Sequence, residues 1–372
     1  INGSTNKSKT TFAIFKSITQ RGYRKHQYSI KDNNVPISDP SELANRFMKV
    51  FQPTRDSNSS SSNINNHSVS NKYVNNSMYL MPVTVDEVKK LITTLPNKYS
   101  SGIDEIPITV IKSVNNLISE PLTQILNQCF LDGYFPNELK EAKVIPIHKK
   151  GSKENINNYR PISLLSSISK IFEKIIYHRL INFLQRNAII SQTHHGFVPN
   201  RNTETALFNF MDSLLNSLDD HQKCAGVYFD LSKAFDTIKH DILLNKIEKY
   251  GLRGQVNKLI ASYLTGRTQR VDVTTTINNI LTTKKSYISH IMQGVPQGSI
   301  LGPILFLLYV NDLHEHVDIK HVYQFADDTS CMVCSHSLNM LSENIVTVIN
   351  KMITYCKQNC LKLNVDKTGL LF

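Results

Sequence analysis

Apolar positions take up a helical rhythm from Val83 onward. Val85, Val88, Leu91 and Ile92 share one face, behind Thr84 with Glu87 three residues on, the arrangement of a capped helix start. The spacing predicts a second helix over 117–131, with Pro121 near its start and Gly133 just past its end. A third, from about Ser167 to Arg186, buries Ile168, Ile171, Phe172, Ile175 and Ile176. Between the last two lies a basic stretch, Lys143 to Arg160, which reads as a loop framed by helices. The second half mixes the two periods. Residues 225–229 form a short apolar run ending at Asp230, and a helix from about Thr237 to Tyr250 closed by Gly251 follows, a strand-to-helix unit. Val322 to Phe325 and Ser330 to Val333 flank Asp327-Asp328, which predicts a hairpin with carboxylates at its turn. Before Val83 the rhythm fails. Residues 57–77 are mostly Ser and Asn, with too little apolar surface to offset the entropy of ordering them, and read as a linker.

With 372 residues the chain can bury a sizeable core without disulfides. Its six cysteines lack the density of a secreted scaffold and read as free thiols in a reducing compartment. The longest apolar run, Ile300 to Val310, is too short to span a bilayer and contains Gly302 and Pro303, so no membrane partner is expected. The formal net charge of +12 is uneven: residues 1–31 hold seven Lys and Arg and no acid, which reads as a polyanion contact or a solvated tail. A second basic stretch, Lys140 to Arg186, is set among apolar residues and reads as folded. The chain begins with Ile1 and stops at Phe372 after an apolar run, which suggests a piece of a longer reading frame.

Candidate chemistry concentrates in the carboxylates. Two unit charges about 4 Å apart repel by ~1 kcal/mol in water and ~4 kcal/mol at an effective dielectric of about 20, so Asp327-Asp328 calls for a cation. Asp230 adds a third carboxylate at a strand end, and oxygen ligands on strands suit Mg²⁺, which keeps waters and phosphates as its other ligands. A pair of such ions can activate a 3′-hydroxyl and stabilise departing pyrophosphate. Taken singly, Asp327-Asp328 also reads as a solvated turn and Asp230 as a helix N-cap; spacing does not choose. Gln293-Gly-Val-Pro-Gln-Gly-Ser299 forms a glycine-containing loop before an apolar helix, with Pro303 in its first turn. It suits a nucleotide or template contact, or a plain turn capping a core helix. Cys331, Cys334 and His336, with Cys356 and Cys360 downstream, do not form a complete zinc spacing.

Read together and in order, Tyr228-Phe-Asp-Leu-Ser-Lys-Ala-Phe-Asp236, Gln293 to Ser299, Phe325-Ala-Asp-Asp328 and Leu363-Asn-Val-Asp-Lys-Thr368 resemble the reverse transcriptases of non-LTR (LINE-type, jockey-like) retrotransposons. Lys143-Val-Ile-Pro-Ile-His-Lys-Lys-Gly151 and Asn158-Tyr-Arg-Pro-Ile-Ser163 look like the fingers motifs of the same family. The likeness runs from about residue 80 to the end.

The resemblance implies an α+β right-hand polymerase fold, with helical fingers, a palm of split βαβ type and the thumb largely absent. The expected divisions are a basic segment 1–56, a linker 57–78, the helical N-terminal part of the fingers 79–138, and fingers and palm 139–372. By resemblance the activity is RNA-directed DNA polymerisation with two Mg²⁺ ions, using an RNA template, a DNA primer and deoxynucleoside triphosphates, in a cytoplasmic and nuclear setting. It makes Asp230, Asp327 and Asp328 the metal ligands, and Phe235 the aromatic under the incoming sugar that excludes a ribose 2′-hydroxyl. Gln297 and Gly298 match the nucleotide and template loop, Lys149 and Arg160 the triphosphate grip, and Lys367 the lysine that assists the leaving pyrophosphate. Each has a plainer reading: a core aromatic for Phe235, a solvated basic loop for Lys149 and Arg160, a surface lysine for Lys367. Asp236 reads as the N-cap of the helix at Thr237. His194 stands where the family usually shows Gln, and Val198 where Arg is common, which puts a template contact in doubt. A maturase, an RNA-dependent RNA polymerase, or a degenerate copy that only binds nucleic acid are the rivals. Phe235 speaks against an RNA product, and the intact carboxylates against a degenerate copy.

Overall fold

Several helix starts coincide with side chains able to take up a free backbone N–H. Thr84, Ser166 and Ser337 each accept from the residue three further on, and Asn202 with Thr205 completes a reciprocal capping box. The computed structural model describes residues 28, 30–32, 35–52, 73–277 and 280–372. The basic stretch 1–27 and the Ser/Asn-rich stretch 57–72 lie outside the described residues. In chain order the first half holds strands β1 (Lys31–Asp32) and β2 (Val35–Pro36), helices α1 (Pro40–Phe51), α2 (Val85–Thr94), α3 (Ile108–Ser113) and α4 (Asn115–Asp132), strands β3 (Glu141–His148) and β4 (Tyr159–Leu164), and helix α5 (Ser167–Arg186). Helix α6 (Thr203–Asp219), β5 (Lys223–Phe229), α7 (His240–Lys249), α8 (Gln255–Leu264), β6 (Thr268–Ile277), β7 (Ile280–Lys285) and β8 (Ser289–His290) follow. The chain closes with α9 (Leu301–Tyr309), α10 (Leu313–Val317), β9 (His321–Phe325), β10 (Asp328–Ser335), α11 (Leu338–Gln358) and β11 (Gly369–Leu371).

Two compact units share these elements, and each is assembled from three chain segments. The larger comprises Gln52–Lys143, Ile162–Gln269 and Ile288–Phe372. Its four-stranded sheet has the order β11-β5-β10-β9 with every pairing antiparallel, so β5 and β9 run the same way with β10 inserted between them, the split βαβ plan. The β9–β10 hairpin is the one anticipated from the two apolar runs. Val227, Phe229, Cys331 and Val333 share one core with Leu341, Ile345 and Val348 of α11 and with α9. All of α9 except Pro303 is buried, as its unbroken apolar sequence requires. Residues 73–78, the end of the expected linker, are held: Val74 and Met78 donate to the carbonyls of Lys249 and Gly251 (3.0 and 2.8 Å), and Arg253 stacks on Tyr73.

The smaller unit comprises Ile1–Phe51, Val144–Pro161 and Arg270–Tyr287. Helix α1 packs Leu43, Phe47 and Met48 with Val144, Val271 and Val273. Phe47 meets Tyr159 edge-on at 5.2 Å. The stretch expected as a basic loop is instead a β-hairpin, β3 and β4, in a sheet of order β4-β3-β6-β7 with β8 paired to β6. The physical signal is a period of two: Ala142, Val144 and Pro146 are buried while their neighbours point outward. Among the described residues no helix is long and apolar enough to cross a membrane.

Candidate active site

Strand geometry gathers three carboxylates at one end of the larger unit's sheet. The register of β5 with β10 ends at Thr329 opposite Phe229, and one step further sets Asp230 beside Asp328. Asp327 occupies the tight turn between β9 and β10, where Ala326 takes a left-handed φ of 55°. Gly196 lets the preceding chain pass this turn: a Cβ there would stand 2.4 Å from the Ala326 nitrogen.

A fourth group comes from the chain end. Leu363 bridges Leu231, and Asn364 N–H donates to the Asp230 carbonyl at 2.8 Å, before β11 returns along β5. Lys367 sits in the short 3₁₀ turn between these two pairings, so its position is fixed from both sides. Its ammonium donates to Asp230 Oδ2 at 2.7 Å, and Asn364 Nδ2 donates to the same oxygen at 2.8 Å. The hydrogen bond to Asp230 foremost, and the charges of Asp230, Asp328 and Asp327, raise the Lys367 pKa against a small burial cost. All three carboxylates thus act on one cation, the offset that adjacent aspartates require. Among the described residues no three His, Cys, Asp or Glu side chains converge closely enough to cage a metal ion by themselves. An all-oxygen corner still suits Mg²⁺, which takes one or two carboxylates and fills its shell with water and substrate phosphates.

Phe235 lies five residues past Asp230 in a 3₁₀ turn entered through Lys233, another left-handed residue. Its half-buried ring stacks on Phe306 (centroids 4.8 Å apart) and meets Phe197 edge-on (6.1 Å). Both core packing and a partly open face are present, so the two readings of this ring are compatible.

Asp236 does not cap a helix. Helix α7 begins only at His240, its N-cap Lys239 makes no side-chain cap, and the half-buried Asp236 instead anchors the Gln293–Ser299 loop. Gln297 Nε2 donates to both Asp236 oxygens (2.9 and 3.1 Å), and the Gln293 amide donates to its carbonyl at 3.5 Å. Burial pushes the Asp236 carboxyl above its usual pKa, opposed by the Gln297 hydrogen bond and by Lys233. On the other side of the loop the Gln297 carbonyl accepts from Ser163 N–H at 2.8 Å. Gly298 has φ +117°, and a Cβ there would come within 2.7 Å of the Ser163 carbonyl oxygen, so glycine is demanded twice over.

The buried Glu173 of α5 accepts from the first backbone N–H groups of α9, Ile300 and Leu301, and so fixes where that loop meets its helix. Glu173 is not singled out by the sequence pattern, although an acid set among Ile171, Phe172, Ile175 and Ile176 is a usable signal. Nor is Asn364, although it lies inside the Leu363–Thr368 motif. Lys149 and Arg160 belong to the smaller unit, at the two ends of the β3–β4 connection, where Lys149 N–H donates to the Asn158 carbonyl at 2.8 Å. Both side chains are exposed. His194 is buried beside β9, bridging Gln324, and its imidazole is neutral: burial above all, then the charge of His314 and Arg201, pulls it down to about 3.

Residues 147–372, more than half of the chain, match the family model described as reverse transcriptase (RNA-dependent DNA polymerase), and the chain belongs to that family. Its relatives are proteins of mobile elements. It is 31% identical over 302 residues to the "Probable RNA-directed DNA polymerase from transposon BS" of Drosophila melanogaster, covering 78% of this chain and 32% of that protein. It is 30% identical over 299 residues to the "RNA-directed DNA polymerase from mobile element jockey" of the same organism, again 78% and 32%. It is 32% identical over 237 residues to the protein of transposon X-element, 63% and 25%. The chain spans about a third of the length of the first two relatives.

Proposed function

We propose that this chain supplies the fingers and palm of a non-LTR retrotransposon RNA-directed DNA polymerase, extending a DNA primer on an RNA template with deoxynucleoside triphosphates. The observation that carries the reading is that Asp230, hydrogen-bonded by Lys367, stands at the end of β5 next to the β9–β10 turn that carries Asp327 and Asp328. Asp230, Asp327 and Asp328 would hold two Mg²⁺ ions. When bound, these supply activation of the primer 3′-hydroxyl and charge neutralisation at the leaving pyrophosphate.

The protein's own groups do the rest. Asn364 orients Asp230 by donating to Oδ2. Lys367, its pKa raised, stays protonated and can give a proton to pyrophosphate. Phe235, stacked on Phe306 and hence rigid, excludes a 2′-hydroxyl by steric clash. Asp236 holds Gln297 and Gly298 as a preformed contact for nucleotide and template. Lys149 and Arg160 are the phosphate contacts, Arg160 able to form two parallel hydrogen bonds where Lys149 acts as a point charge. Cytoplasmic and nuclear placement goes with this reading.

Primer extension on oligo(dT)-primed poly(rA) with Mg²⁺ tests it. Deoxynucleotide incorporation that vanishes in Asp327→Asn is the expected result. Salt-sensitive template binding without extension would favour the degenerate copy, and ribonucleotide preference would overturn the role of Phe235.

A further inference from the structure

The register of β5 on β10 sets Cys224 directly opposite Cys334. Both are free and half-buried. Directly opposite residues of an antiparallel pair hold their Cβ atoms about 4.5–5.5 Å apart, and a disulfide needs about 3.5–4.5 Å, so closure asks for a movement of about 1 Å. Cys129, Cys331 and Cys356 are buried, and Cys360 is exposed in the turn after α11. Cys334 also lines an open cavity of about 660 Å³ between α6, β10 and α11, with Ser217, Gln222 and Met332 among its walls. A small reagent can therefore reach Cys334. The cavity's charges are mixed, Lys320 and Lys351 against Asp220 and Asp318, so it does not select a reagent by charge.

We propose that Cys224 and Cys334 form a reversible cross-strand disulfide by exchange with a low-molecular-weight disulfide. In the first step one protein thiolate attacks the small disulfide, its S–S bond breaks, and one small thiol leaves with the protein's proton. In the second the other protein sulfur attacks the mixed disulfide at the protein-side sulfur, and the second small thiol leaves with the second proton. Two protein thiols are oxidised by two electrons and one small disulfide is reduced to two thiols, so nothing else is consumed. Burial first, then Cys334, pushes the Cys224 thiol up to about 12, so exchange accelerates as pH rises from neutrality.

Cys224 and Asp230 are six residues apart on one strand, roughly 20 Å. The bond therefore ties together the two strands that carry Asp230 and Asp328 without touching the carboxylates. The expected consequence is a Tm higher by roughly 5–10 °C, because a long loop is closed in the unfolded chain. The two sites are far enough apart that primer extension changes by less than about twofold.

The test incubates the intact chain with oxidised glutathione at pH 8.5, blocks remaining thiols, and maps peptides by mass spectrometry without reduction. The expected result is a Cys224–Cys334 linked peptide that dithiothreitol removes, with the rise in Tm, and neither in Cys334→Ser or Cys224→Ser. Should those variants not fold, the wild-type peptide map decides. Separate glutathione adducts on the two cysteines without a linked peptide, or linkage only in urea, would overturn the proposal.

Discussion

Two lysine–aspartate pairs in the larger unit have the same 2.7 Å separation and opposite surroundings. Lys246 and Asp312 are 1% and 4% exposed, and the ammonium also donates to the Tyr309 carbonyl (2.7 Å), while Tyr355 OH donates to Asp312 at 2.6 Å. Burial lowers the Lys246 pKa, against the raising pull of Asp312. Lys367 and Asp230 are 45% and 17% exposed, and the lysine's pKa is raised, by the hydrogen bond to Asp230 first and then by the charges of Asp230, Asp328 and Asp327. Distance alone does not distinguish them. The first pair closes a set of buried polar groups and holds α7 to the start of α10. The second leaves an anionic corner open to solvent, where a lysine can give way to a stronger cation.

The comparison is broken most sharply at the open corner. Asp230→Asn or Asp327→Asn should lower primer extension on the order of 10³-fold with little change in Tm, since several kcal/mol of charge stabilisation are lost from the transition state alone. A large fall in Tm would make that corner structural. Asp312→Asn should do the reverse, costing about 3–5 kcal/mol in urea unfolding because Lys246 is left as an uncompensated buried charge; Lys246→Met with Asp312→Leu should recover most of it. Gly298→Ala should cost about 1–3 kcal/mol and slow extension, from a strained φ and the Ser163 contact.

A smaller effect tests the buried side through pH. The folded pKa of His194 lies below the ordinary 6.5, so as pH falls from 6.5 toward about 3 the unfolded chain binds a proton the folded chain does not. Stability should fall over that window, and His194→Gln should flatten the fall in urea midpoints. Last, Lys367→Ala should change stability by less than about 1 kcal/mol, as for an exposed pair, while slowing extension. Equal losses in both readouts would erase the distinction between the two pairs.

How much could be read in advance differs between the same regions. Helix α5 was placed at its observed bounds because Ser166 and the apolar spacing both mark it, and the β9–β10 hairpin because two apolar runs flank a polar turn. The β3–β4 hairpin is hidden in the sequence because the charges of Lys143, Lys149 and Lys150 suit a loop and mask the two-residue alternation beneath them. Asp236 was misread because an acid before a helical pattern is a good N-cap by local rules. Only the approach of Gln297, 61 residues away, gives it a different partner.

The sequence by itself determined several of the helices, the β9–β10 hairpin, the position of the carboxylates at strand ends and the glycine loop, because these rest on periodicity and turn chemistry within a few residues. Which charges meet was decided by tertiary structure. That Lys367 lands on Asp230 and Lys246 on Asp312, that Glu173 tethers α9, and that Cys224 faces Cys334 all depend on strand register and packing between segments distant in the chain, which no local pattern encodes.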